Sequence, residues 1–288
     1  MANYNIKDLY SVFNKIDGEF GERKLEGGGT VEHASGSITK YCPQRDESGH
    51  GTCFSYLQMA RSGVINLLEN LEKYNLEYDK LAEYTILFLS YKLKQHSQYK
   101  WTNLNNFYTS HIKNNNDYNK KIKGNGPTYK EIINKNKDLM NNNEISKFNG
   151  LFSILCILYN EIKKKNRDCT NLSQKANEFV QKFENLNQDS SIIGNNSYRE
   201  ILSNLFNDYD DFKNDYAKNC SHCSDIPTLP EIKTPPSKLI PALSTFSVIP
   251  VFLGIAYKYS LFGVDKLFQR QYLRKKLKKV KKKLKLNI

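Results

Sequence analysis

Apolar residues recur at spacings of three and four along much of the chain, with Lys, Glu and Asn between them, which is the pattern of amphipathic helices. The first sustained runs, "YLQMARSGVINLLENLEKY" from Tyr56 and "LEYDKLAEYTILFLSYKLKQ" from Leu76, predict two consecutive helices. Further helices are predicted in "YKEIINKNKDLM", "EISKFNGLFSILCILYNEIKKK", "NLSQKANEFVQKFENL" and "SYREILSNLFNDYDDFKNDYAK". Within these, "LFSILCILY" is the most apolar stretch; at nine residues it is about half a membrane span and reads as a core helix carrying Cys156. Before Ser55 the periodicity is weak, and "EGGGTVEHASGS" reads as a flexible loop. An Asn-rich interval, "HIKNNNDYNKKIKGNGPTYK", separates the helical runs, with Gly124 and Pro127 breaking any helix there. Strand signals are few, so residues 1–219 are expected to form an all-α domain.

The pattern changes after that domain. Residues 220–238, "CSHCSDIPTLPEIKTPPSK", hold four prolines and cannot be regular helix; they are expected to form an extended stalk. Residues 239–257, bounded by Leu239 and Tyr257, carry no charge at all. Nineteen residues at about 1.5 Å each make roughly 28 Å of helix, close to the hydrocarbon thickness of a bilayer. Pro241 and Pro250 are tolerated in a membrane helix, and Tyr257, Lys258 and Tyr259 suit the interface. A single transmembrane helix is expected, the competing reading being the deepest helix of a soluble core. Residues 258–288 form a basic tail in which Leu273, Leu277, Val280 and Leu284 recur at helical spacing. Lys275, Lys276, Lys278, Lys279, Lys281, Lys282 and Lys283 surround them. Such a helix suits an anionic inner leaflet, at about 1 kcal/mol per basic residue near the surface; the plainer reading is a solvated tail that only fixes topology.

Charge and cysteine placement give this division a direction. Of the formal net +13, ten charges fall within the last thirty residues, leaving +3 for the other 258. A balanced body argues against a nucleic-acid-binding domain, which needs basic residues and aromatics interleaved on a folded surface. The excess of Lys and Arg after the apolar run places the C-terminus in the cytoplasm. All six cysteines, Cys42, Cys53, Cys156, Cys169, Cys220 and Cys223, lie before it, as expected of disulfides in a domain facing an oxidising space; buried free thiols are the alternative. The opening "MANYNIKDLYSVFNKIDGEF" has no apolar core of signal-peptide length.

Little here promises chemistry. "CSHC" at Cys220 admits a redox dithiol or half a zinc site completed by Cys42, Cys53 or His222, but the strand context of the first and the second close pair of the other are missing. His33, His50, His96, His111 and His222 form no i,i+4 metal pair, and "EGGGT" lacks the Gly-Lys-Ser/Thr of a phosphate loop. Neither an enzyme nor a cofactor is expected. The sequons at Asn171, Asn195 and Asn219 mark exposed positions at most.

Several segments in the same order carry a resemblance: "YCPQ" at Tyr41, "KANEFVQKFENLNQDS", "SYREILSNLFNDYDDFKNDY", "CSHCSDIPTLPEIKTP" and "KLIPALSTFSVIPVFLGIAYKYSLFGVDKLFQRQYLRKKLKK". Nearly the whole chain resembles the Plasmodium interspersed repeat (PIR) proteins, the Cir/Yir/Bir variant antigens of rodent malaria parasites. The resemblance implies a surface antigen exported to the infected red cell, with a helical ectodomain, one membrane helix and a basic cytoplasmic tail. It implies antigenic variation, immune evasion and binding of a host receptor or antibody as roles, and structural cysteines at the six positions. The alternative is a membrane-tethered structural or trafficking protein of the parasitophorous vacuole or exported membranes, its tail on anionic lipid or cytoskeleton. Two departures are visible: a cysteine often found near the family's N-terminus is missing, and "RKLEG" at Arg23 has Gly where an export motif has an acid.

Overall fold

Asn5 opens the first helix by accepting a hydrogen bond from the Lys7 amide, and similar caps start most later helices. A computed structural model describes residues 5–43, 47, 51–141, 143–220, 222–235 and 268–282. The chain divides into two units, Met1–Thr234 and Pro235–Ile288.

In the first unit, α1 (Ile6–Glu19) runs directly into an antiparallel hairpin of β1 (Phe20–Lys24) and β2 (Thr30–Ala34), with Phe20 opposite Ala34 and Lys24 opposite Thr30. Part of the "EGGGTVEHASGS" segment is therefore strand rather than loop. The glycines supply the turn between the strands, where Gly28 takes a φ of 89° and its amide donates to the Leu25 carbonyl. A 3₁₀ turn (Gly36–Tyr41) leads to α2 (Tyr56–Glu72), capped by Ser55, and then to α3 (Tyr78–Gln95). The Asn-rich interval folds into short pieces: α4 (Leu104–Phe107) continues into a π turn, and α5 (Tyr129–Lys135) starts with a capping box of Thr128 and Glu131. The longer elements that follow are α6 (Asn149–Glu161), α7 (Cys169–Leu186), a one-turn α8 (Ser190–Ile193) and α9 (Asn196–Asn219). The unit is mostly helical, as the periodicity predicts.

The "LFSILCILY" segment is the centre of this unit. It forms most of α6, where Leu151, Phe152, Leu155 and Leu158 are fully buried, and α6 packs against α1, α3, α7 and α9. An aromatic cluster joins these helices: Tyr10 stacks on Tyr159 at 4.6 Å, and Phe13 meets Phe152 edge-on at 5.0 Å. Each such buried ring contributes about 1.5–3 kcal/mol. The hairpin is seated by a close approach at Gly63 on α2, where a Cβ would come within 2.8 Å of the Phe20 ring. Only a residue without a side chain lets β1 lie this near α2.

The segment predicted as a stalk has no helix in its described part, but its first half lies along the helical body. Ile226 and Leu229 are buried, Tyr209 donates to the Pro227 carbonyl and Tyr216 to that of Ser224. Asn187 then holds this segment with both atoms of its amide, donating to the Glu231 carbonyl and accepting from the Lys233 amide.

The predicted span at residues 239–257 lies outside the described residues. Among the described residues no helix is long and apolar enough to cross a membrane. In the second unit, residues 268–282 are helical.

Candidate functional site

The cysteines are the residues from which the sequence argues most, and the structure sorts them into two classes. Cys42 joins Cys53 with Cα atoms 4.8 Å apart, closing the segment between the 3₁₀ turn and α2. Cys169 joins Cys223 at 5.5 Å, tying the first turn of α7, capped by Asp168, to the irregular segment that follows α9. Cys156 and Cys220 are free and buried. The expectation that all six form disulfides is thus corrected for these two. They are the two sulfurs left over, one inside α6 and the other at the C-terminal end of α9. Each is built into its local packing as a small apolar side chain. Burial pushes the Cys156 thiol well above its ordinary range, with Asp17 and Asp208 adding to it, and burial also raises Cys220. Both thiols are therefore held in their unreactive protonated form.

"CSHC" behaves neither as a dithiol nor as half a zinc site completed by Cys42 or Cys53. Cys223 is paired with Cys169, 54 positions away, and not with Cys220. The ligand atoms of Cys169, His222 and Cys223 lie within 4.8 Å of one another, but both sulfurs are spent in the disulfide, leaving the imidazole of His222 as the one open donor of the three.

The predicted lipid-facing tail is a helix over its described part, and the side chains of residues 268–282 are exposed. Leu273, Leu277 and Val280 fall on one face at i, i+4 and i+7, with Lys275, Lys276, Lys278, Lys279, Lys281 and Lys282 around them. Lys276 Nζ sits 5.1 Å from the Tyr272 ring centre. Lys283, Leu239 and Tyr257 lie outside the described residues.

Sequence reading missed a cluster of charged groups under the hairpin. Lys92, on the buried face of α3, is 2% exposed. Its ammonium donates to Asp17 Oδ1 at 2.7 Å and to the carbonyls of Asp17 and Phe20 at 3.0 and 2.8 Å, and it rests 4.3 Å from the Phe20 ring centre. Desolvation lowers its pKa, opposed by Asp17. Just beyond α3, the buried His96 imidazole reaches Glu32 at 3.1 Å and Glu22 at 3.5 Å, two residues that face each other across the hairpin. Ser97 ties Glu22 down further through its amide and hydroxyl, which holds that carboxyl below its usual range. A cleft of about 210 Å³ opens beside these groups. Every charge in it answers another charge or a backbone carbonyl, so the cluster fastens the hairpin to α3; beside it the buried Nδ1 of His33, on β2, has no hydrogen-bond partner. The signal was present in the sequence: Lys92 lies four positions after Phe88 and one before Leu93, inside an apolar face where a lysine needs a partner.

A second polar centre lies in the core. Asp208 on α9 accepts hydrogen bonds from Tyr10 at 2.8 Å and from Tyr84 at 2.7 Å, while Tyr159 donates to its carbonyl at 2.6 Å. Burial pushes its carboxyl up to about 6. Four helices thereby converge on one residue.

These features define a class: a helical domain tied by two disulfides, with charge used inside for fastening and no assembled catalytic group among the described residues. The chain belongs to the Plasmodium variant antigen family Cir/Yir/Bir, whose family model matches residues 10–258. Among solved structures it is similar to a Plasmodium PIR protein ectodomain, at 30% identity and a TM-score of 0.57, over 80% of this chain and 99% of that one. No curated protein matches. The family is one of variant antigens, in agreement with the resemblance noted from the sequence segments.

Proposed function

We propose that this chain is a single-pass variant antigen displayed by the infected red cell, with residues 5–235 facing outward and the basic tail in the cytoplasm. The observation that carries the reading is the match to a family of variant antigens, which runs on through the uncharged residues 239–257 to residue 258. The disulfides support an oxidising environment for the helical unit, and the Lys-rich tail supports the orientation. In this role the surface of the helical unit varies under immune pressure and meets host receptors or antibody, while the tail rests on anionic lipid.

Protease added to intact infected cells tests the display. The expected outcome is loss of the helical unit with the tail fragment protected. Full protection of the helical unit on intact cells, with loss after permeabilisation, would instead support a membrane-tethered structural or trafficking role inside the cell.

A further inference from the structure

The chain has one tryptophan, and it is 75% exposed. Trp101 stands in the turn after α3, beside a surface cleft of about 90 Å³. Leu93 and Ile145, both buried, close the apolar part of that cleft. Exposing an indole forfeits the burial its large apolar area offers, and Trp is a residue type that recurs at contact sites.

Two ammonium groups flank the ring. Lys94 Nζ lies 4.4 Å from its centre and Lys100 Nζ 5.7 Å, and neither has a carboxylate partner among the described residues. Glu144, between the lining residues Asn143 and Ile145, is already engaged: Lys147 bridges it to Asp189, and Ser191 donates to both. The cleft therefore presents unspent positive charge.

Apart from Leu104, the remaining lining is hydroxyl and amide: Ser90, Thr102, Asn143 and Ser146. Ser90 is 5% exposed and borders the cleft.

We propose that this cleft binds a carboxylated monosaccharide, as at the acidic end of a glycan. An indole offers a surface for the C–H face of a pyranose ring, the hydroxyl and amide groups match sugar hydroxyls, and the two lysines match the carboxylate. The volume suits part of one ring and is well below the roughly 300 Å³ or more of a typical drug-sized pocket. An acidic peptide would need a longer strip of positive charge than two lysines on one turn. No arginine lines the cleft, so the forked donor that suits bidentate phosphate recognition is missing from its lining. The proposal deepens the display reading, on which its biological meaning rests, but its test does not depend on where the chain is displayed.

Because Trp101 is the one indole, its fluorescence reports this cleft alone. The full chain in detergent micelles is titrated with D-glucuronate and with N-acetylneuraminate, using D-glucose as the uncharged control and a hexaglutamate peptide as the acidic one. The expected result is a saturable change in emission with at least one acidic sugar, with a Kd of about 1 mM, and none with glucose. Exchanging both exposed lysines, Lys94→Gln with Lys100→Gln, should weaken binding about tenfold or more with the helical content unchanged. Saturation-transfer NMR on Trp101→Ala, which removes the optical signal, should show loss of sugar contact. Absence of saturation by either acidic sugar up to about 10 mM would overturn the proposal, as would an equal response to glucose or tighter binding of the peptide. Failure here leaves the protease result untouched, and failure of display leaves this titration untouched.

Discussion

Glu83 shows how a single residue sets the pH response of the helical unit. It is 3% exposed on α3, where Asn204 donates to its Oε1 at 2.8 Å, and burial pushes its carboxyl up to about 8 from an ordinary 4.5. The neutral form is favoured in the folded state. The stability this contributes is complete below about pH 4.5 and is lost as pH rises through about 8. Asp208, raised to about 6, acts in the same direction but has finished most of its change at lower pH. Between pH 6 and 8 the wild-type chain should therefore lose on the order of 2 kcal/mol, read by denaturant unfolding at the two values. Glu83→Gln keeps an acceptor for Asn204 and should flatten that slope; an unchanged slope would show that Glu83 titrates normally. Sequence reading placed Glu83 on a helix but not inside it. The charged residues on α3 look alike in the string, and only the fold, which brings Asn204 of α9 to Glu83, separates a buried carboxylate from a solvated one.

At the scale of elements, the two disulfides do unequal work. Cys42 and Cys53 are 11 positions apart and close a short loop, whereas Cys169 and Cys223 are 54 apart and hold α7 against the irregular segment that follows α9. Chain-entropy arguments put the longer closure at about 4 kcal/mol and the shorter at about 3. The double variant Cys169→Ser with Cys223→Ser should accordingly lower the melting temperature more than Cys42→Ser with Cys53→Ser, and should also free residues 222–235 to early proteolysis. Equal melting temperatures would mean that Asn187, Tyr209 and Tyr216, which hold the same segment, are sufficient without the bridge. The helices themselves were legible because burial of one face imposes its period on the sequence. The hairpin was not, since β1 reads "FGERK", with a single buried residue at Phe20, and its seat depends on Gly63, forty-three positions away.

For the whole molecule, charge is partitioned by unit. The second unit carries twelve of the thirteen net positive charges, and its described helix places Leu273, Leu277 and Val280 on one face among lysines. If that helix lies on lipid, a peptide of residues 268–288 should bind vesicles containing about 30% phosphatidylserine far more tightly than neutral ones. Each Lys→Gln exchange should then cost about 1 kcal/mol at low salt. Equal partitioning into both vesicle types would leave the tail a solvated topology signal. The sequence alone determined the helical class, the position of the core in "LFSILCILY", the break at residue 220 and the basic end. All of these are periodic or compositional and need no knowledge of neighbours. It also carried the family, through segments spread over nearly the whole chain. Tertiary structure alone decided which cysteines pair, that Lys92 and His96 fasten a hairpin, that Asp208 gathers three tyrosines, and that Trp101 stands exposed between two lysines. Each of those is a contact between positions distant in sequence or a matter of which face meets solvent, and such facts come into being only when the chain has closed on itself.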